Sequence, residues 1–266
     1  MYYLHYSLAI INSLTLIYLW GMIVTKFSMS YSNLTKAVFF DWFNTLALYE
    51  PPREELHSQI VQEFGIDVSP PDLLSGILAA DKYIFAEIAR SPMTKRSREE
   101  QGKIYCKYAY IMLKQVGYEV DSKVLPQIIN RWPQVFNRTM FVLFDDVILS
   151  LKTLKERGLT LGLITNATKD AVSAQHELGL EPYLNFTVTS EEAGTDKPDP
   201  AIFLLALERA RVSPWEAIHV GDQYELDVGG ARRAGITPIM IDRYNLYPEV
   251  DDCPRISTLP ELLRYL

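Results

Sequence analysis

The sequence predicts an α/β fold, a doubly wound parallel sheet carrying an inserted all-helical block. Two observations predict it. After residue 36, short runs of apolar and β-branched residues alternate with helical stretches long enough to be crossovers, the pattern of βαβ units. Between residues 50 and 141 the apolar period changes to a helical one and no convincing strand remains. A chain of 266 residues suits one large domain, or a core with one sizeable insertion.

Residues 1–30 form an apolar N-terminal segment. From Tyr6 to Thr25 there is no charged side chain, and the run is about the length needed to cross a bilayer as a helix. No Lys or Arg precedes it and no small-residue cleavage pattern follows, which counts against a secretory signal. The expectation is either a membrane anchor, with Lys26 and Lys36 holding the following chain on the cytoplasmic side, or an extension upstream of a start at Met29.

Ala37–Phe40 reads as the first buried strand. Pro51-Pro52 then opens a helical cap domain over residues 51–140, with apolar positions at helical spacing: Leu56, Ile60, Val61 and Phe64, later Ile104, Tyr108, Ile111 and Met112, then Val124, Ile128, Ile129 and Trp132. The core domain comprises 36–50 and 141–266. Its further strands are expected at Leu159–Ile164, Phe186–Thr189, Ala217–Val220 and Pro238–Ile241, with crossover helices at about Lys169–Leu178, Pro200–Ala210 and Asp227–Ala234. Gly158, Gly179 and Gly235 directly follow helical patterns, where a left-handed C-terminal cap favours glycine.

With 48% apolar and 22% charged residues the chain is an ordinary globular one. A net charge of −7 argues against a surface built to grip nucleic acid, which needs clustered Lys and Arg. Cys106 and Cys253 stand far apart with no metal-ligand spacing, so a reducing cytoplasm fits best. The expected partner is a small-molecule substrate, with a membrane involved only if the 6–25 segment is an anchor.

In a doubly wound sheet, ligands bind where strands end at their carboxyl side. The first strand ends in Asp41-Trp42-Phe43-Asn44-Thr45, the second in Thr165-Asn166, and the fourth in Gly221-Asp222 with Asp227 five residues on. The turn after the third carries Lys197-Pro198-Asp199-Pro200. One sheet edge therefore collects three carboxylates, hydroxyls, an amide and an ammonium. Taken singly, Asn166, Asp222 and Asp227 read as helix caps, Lys197 as a turn residue and His219 as a core histidine. Their joint order after successive strands favours a site. Arg53, His57, Arg96 and Arg98 read as members of solvated helix faces.

The chain resembles the haloacid dehalogenase-like hydrolase superfamily, in the branch with a helical cap between the first and second motifs. The four motifs occur in order: Val38-Phe39-Phe40-Asp41 to Thr45, Thr165-Asn166, Lys197 before Pro198, and Gly221-Asp222 to Asp227. The resemblance implies a Rossmann-like core and a hydrolase in which Asp41 is the nucleophile, forming an aspartyl-phosphate on a phosphoester. It implies Mg²⁺ held by Asp41, Asp222 and the backbone carbonyl of Phe43, with Asp227 binding through water or orienting its neighbours. Lys197 is the catalytic cation, and Thr45, Thr165 and Asn166 are expected to bind the substrate phosphoryl group.

One position departs from the pattern. Family phosphatases carry a second Asp two residues after the nucleophile, as general acid and base; here that residue is Phe43. The 2-haloacid dehalogenases have an aromatic residue there and need no metal, which makes dehalogenation at Asp41 the alternative. Against it, those enzymes do not keep the glycine-aspartate pair seen at Gly221-Asp222. Phosphonate hydrolases also lack the second Asp, but their Schiff-base lysine has no counterpart here. A second alternative is a non-catalytic member that binds a phosphorylated ligand or a partner protein. The leading expectation is a Mg²⁺-dependent phosphatase of a small phosphorylated metabolite.

Overall fold

The computed structural model describes residues 35–137, 139–166 and 169–266, and the apolar run at 6–25 lies outside them. In chain order the elements are β1 (Ala37–Phe40), β2 (Ala47–Glu50), α1 (Arg53–Gln62), α2 (Pro70–Arg90), α3 (Arg98–Gln115), α4 (Leu125–Phe136) and β3 (Met140–Leu143). They continue with α5 (Val147–Glu156), β4 (Thr160–Thr165), α6 (Lys169–Glu177), β5 (Phe186–Thr189), α7 (Ser190–Ala193), α8 (Pro200–Ala210), β6 (Ala217–Gly221), α9 (Gly229–Arg233), β7 (Thr237–Ile241) and β8 (Arg255–Ile256).

Six strands pair in parallel in the order β5-β4-β1-β6-β7-β8. β1 is central, and its four residues are fully buried, which is why it reads as an unbroken apolar run rather than an alternating one. Phe39 lies opposite Gly162 of β4 and His219 of β6. A Cβ on Gly162 would come within 2.5 Å of the Phe186 ring, so glycine there leaves room for that ring to reach Phe39.

The crossover helix α8 starts on Pro200 with the Asp199 carboxylate accepting from Ala201 N at 2.9 Å, a side-chain cap followed by proline in the first turn. Its apolar stripe, Ile202, Phe203, Ala206 and Leu207, packs on Phe39, Ile164 and Val188. Gly158 and Gly235 take φ of +79° and +76°, the left-handed conformation that ends a helix.

The helices α1–α4 enter and leave the core through a two-stranded antiparallel ribbon, β2 with β3, in register from Ala47↔Leu143 to Glu50↔Met140. The sequence reading placed no strand at either position, since each has four residues and neither shows a clean alternation. The helical block has its own core, including Ile60, Leu73, Ile77, Met112, Leu113 and Ile128, each stabilising by roughly 1.5–3 kcal/mol. The α2/α3 contact is close enough that a Cβ on Gly76 would sit 2.2 Å from the Met112 carbonyl oxygen. Among the described residues no helix is long and apolar enough to cross a membrane.

Candidate active site

Asp41 follows β1 directly, and the sheet order sets the ends of β4 and β6 on either side of it. Its N–H donates to Val220 O at 2.9 Å and so continues the β1–β6 pairing by one residue. The chain then doubles back at once: Leu46 N and Ala47 N both donate to Trp42 O, at 2.9 and 3.0 Å. This tight loop needs a left-handed residue, and Asn44 supplies it at φ 60°. Two contacts result. Thr45 Oγ1 comes to 3.4 Å from Asp41 Oδ2, and Asn44 Nδ2 donates to Asp222 Oδ2 at 3.2 Å.

Lys197 enters from the turn before α8. Its backbone is clamped by the Asn166 side chain, which accepts from Lys197 N at 2.6 Å and donates to Lys197 O at 3.0 Å. The ammonium is fully buried and donates to Asp41 Oδ1 at 2.5 Å and Asp227 Oδ1 at 2.7 Å. Asp227 lies on a single π-helical turn, Tyr224–Val228, a wider coil that aims it inward. There its carboxylate also meets His219 Nε2 at 2.9 Å and accepts from Gln223 N at 3.1 Å. A Cβ on Gly221 would lie 2.2 Å from Asp227 Cγ, so the glycine of the Gly221-Asp222 pair is the space in which Asp227 rests.

Carboxylate oxygens of Asp41, Asp222 and Asp227 all lie within 4.8 Å of one another. One ammonium cannot balance three carboxylates, and Asp222 Oδ1 is buried with no hydrogen-bond partner. Burial, then Asp41 and Asp227, push the Asp222 carboxyl well above the usual carboxylate range. Burial also raises Asp41, against the opposing pull of Lys197. Asp227 goes the other way: burial opposes its ionisation, but Lys197 and His219 outweigh it and hold it low. The same two carboxylates keep Lys197 charged against its own burial. With all three carboxylates ionised the donor set is hard, anionic and two positive charges short, which fits a divalent cation with oxygen ligands.

The structure thus gathers Asp41, Thr45, Lys197, Asp222 and Asp227, with Asn166 acting through the Lys197 backbone. Thr165 ends β4 as a buried residue. The Phe43 ring packs on Tyr49 at 4.7 Å and under the Arg53 guanidinium at 5.7 Å.

The helical block corrects the expectation of solvated faces. Arg53 is buried against Asp81 at 2.5 Å, and Asp81 also accepts from Tyr108 Oη at 3.0 Å. His57 is buried among Tyr108, Trp132 and Phe136, and burial followed by the Arg53 charge pushes its pKa down to about 3. Arg96 is half-buried against Glu87, and only Arg98 stays exposed. Phe43 joins these helical side chains in lining a cavity of about 310 Å³. Sequence reasoning missed this group. Its available signal was the aromatic spacing Tyr105/Tyr108 and Trp132/Phe136, which equally fits an ordinary core.

Residues 35–235 match the haloacid dehalogenase-like hydrolase family. The chain is 31% identical over 231 residues to a glyceraldehyde 3-phosphate phosphatase of Methanopyrus kandleri, covering 82% of this chain and 90% of that protein. It is 28% identical over 234 residues to a ribulose-1,5-bisphosphate 5-phosphatase of Halopiger xanaduensis, covering 85% and 92%. In structure it is similar to a putative HAD-hydrolase of Bacillus subtilis bound to magnesium, with a TM-score of 0.59 at 21% identity over 86% of this chain and 96% of that one. The ordered motifs, the parallel sheet that brings them together and these matches establish that the chain belongs to the haloacid dehalogenase-like hydrolases.

Proposed function

We propose that the protein is a Mg²⁺-dependent phosphatase of a small phosphorylated metabolite, working through an aspartyl-phosphate on Asp41. The observation that carries this reading is the buried contact of Lys197 with both Asp41 and Asp227, beside an Asp222 oxygen left without a partner. The similarity to enzymes named as phosphatases of small phosphorylated sugars supports it. Asp41, Asp222 and the Phe43 carbonyl would hold Mg²⁺, with Asp227 fixing the surrounding groups. When bound, the ion supplies positive charge against which phosphate can approach a carboxylate.

The chain's own groups do the rest. Lys197 keeps Asp41 ionised and oriented at the end of β1, so a carboxylate oxygen attacks phosphorus as the bond to the leaving oxygen breaks. Thr45, Thr165 and the backbone at Asn166 hold the phosphoryl oxygens, and the Lys197 charge stabilises the crowded transition state. Water then cleaves the acyl-phosphate and frees Asp41. In this reading the helical block at 51–140 is a cap that excludes water during attack. Two free thiols, Cys106 and Cys253, are compatible with the cytoplasmic location we infer.

The test is a screen of phosphate esters and 2-haloacids with and without Mg²⁺. Phosphate release that needs Mg²⁺ and disappears in Asp41→Asn is the expected result. Halide release without Mg²⁺ would replace this reading with the dehalogenase one, and no turnover of either class with retained ligand binding would favour a non-catalytic member.

A further inference from the structure

We propose that the cavity between Phe43 and the helical block receives the substrate's leaving group, and that this group is a flat aromatic ring joined to phosphate through a phenol-type oxygen. The inference rests on the phosphatase reading and narrows its substrate class. Phe43 ties the two places together, lying two residues after the nucleophile and on the cavity wall. In this proposal the leaving oxygen of a phosphoryl group held at Asp41 lies toward this wall.

The chemistry of the lining selects the occupant. The walls are rings: Phe43, Tyr49, Phe85, Tyr105, Trp132 and Phe136. Trp132 stands edge-on to Tyr105 and Tyr108 at centroid distances of 6.0 and 5.5 Å, the geometry in which aromatic groups pack favourably. The one charged pair in the lining, Arg53 and Asp81, is closed on itself at 2.5 Å. Rings on this many sides offer an aromatic ligand edge and face contacts that a polyol cannot use, and the polar atoms among them without a hydrogen-bond partner, Arg53 Nη2, His57 Nδ1 and Trp132 Nε1, are few beside that apolar surface.

A second observation points the same way. No strong acid in the lining is free to protonate a departing oxygen: Asp81 is engaged by Arg53 and Tyr108, His57 is held neutral by burial, and Tyr49 and Tyr105 are phenols that burial makes weaker acids still. The leaving oxygen therefore departs with most of its negative charge. A phenolate, whose conjugate acid resembles the tyrosine hydroxyl with a pKa of about 10, can do so, and a sugar alkoxide is far more basic.

The test uses the full chain with Mg²⁺ and three esters: 2-naphthyl phosphate, phenyl phosphate and glycerol 2-phosphate. Naphthol and phenol are similarly acidic, so a difference between the first two reports on the cavity. We expect kcat/KM about tenfold higher for the naphthyl ester, and glycerol phosphate slower than phenyl phosphate by about 10²–10⁴-fold. Phe85→Glu, or Tyr105→Ala should the first fail to fold, brings the naphthyl-to-phenyl ratio close to one. Equal rates for the three esters, unchanged in both variants, would overturn the aromatic assignment and leave the phosphatase standing. Should no ester turn over while 2-naphthylphosphonate binds in calorimetry and Phe85→Glu abolishes that binding, the phosphatase reading fails and the aromatic site survives.

Discussion

Lys197 and Asp41 lie 156 residues apart in the chain and meet at 2.5 Å, with the same ammonium 2.7 Å from Asp227. Replacing the lysine leaves two buried carboxylates facing each other. Lys197→Met is expected to destabilise the metal-free protein by about 3–5 kcal/mol in urea unfolding, since an uncompensated buried charge costs that much. Millimolar Mg²⁺ should recover part of this loss while activity stays abolished. A variant as stable as wild type without metal would mean that the three groups do not share one buried charge balance.

Asp222 carries the opposite expectation. Its carboxyl is raised in the folded protein by burial and by Asp41 and Asp227, so its stabilising protonated form is present at low pH and is lost as pH rises through the folded pKa. At pH 7 without metal the group is a liability. Asp222→Asn should therefore raise metal-free stability by about 1 kcal/mol or more and eliminate Mg²⁺ binding in calorimetry. Retained Mg²⁺ binding would remove Asp222 from the metal site.

Phe43→Asp restores an acid where the family's phosphatases have one. Where the loop held by Asn44 accepts it, rates on alkyl phosphates should rise by a good part of about 10²–10⁴-fold, with little change for aryl esters. Breakdown of the acyl-phosphate in the wild type should be slow, giving a burst of released alcohol before a poor steady rate. The wild-type burst is read by rapid quench, and its absence would argue against a missing base.

His57 makes stability depend on pH. Its pKa is about 3 in the fold and near 6.5 when exposed, because burial and then Arg53 disfavour the charged ring. The stability it contributes is complete above pH 6.5 and falls by about 1.4 kcal/mol per pH unit below that, until the folded pKa is reached. His57→Phe keeps a ring among Tyr108, Trp132 and Phe136 and removes the proton. The difference between wild type and variant in urea unfolding, followed from pH 7 to 4.5, should grow in the variant's favour. Parallel curves would show that the imidazole is hydrated.

The parallel sheet and the carboxylate cluster were legible because their signals are local. A central strand buried on both faces must be apolar throughout, as Ala37–Phe40 is, and Asp41, Asn166 and Asp222 each directly follow a strand, with Thr45 and Asp227 farther along the same connections and Lys197 along the one after β5. The ribbon was not legible because it is held by cross-strand ring contacts, Trp42 on Phe141 at 5.5 Å and Tyr49 on Phe141 at 5.1 Å, between segments some ninety residues apart. Arg53 was misread for a related reason. A cation on a helix reads as solvated unless its partner is known, and Asp81 lies on another helix. The π-turn at Asp227 leaves no mark in composition, and only the bulk-free Gly221 beneath it hints at where that carboxylate goes.

The β2/β3 ribbon has a consequence for remodelling. Because Glu50 and Met140 are cross-strand partners, the excursion through α1–α4 begins and ends on adjacent strands, about 5 Å apart. Closing so short a gap depends only weakly on the length of what is strung across it. The ribbon is thus a natural graft junction. A foreign helical module spliced between Glu50 and Met140 should leave the Asp41–Lys197 geometry in place, so that substrate preference and bond-breaking machinery can be exchanged as separate parts.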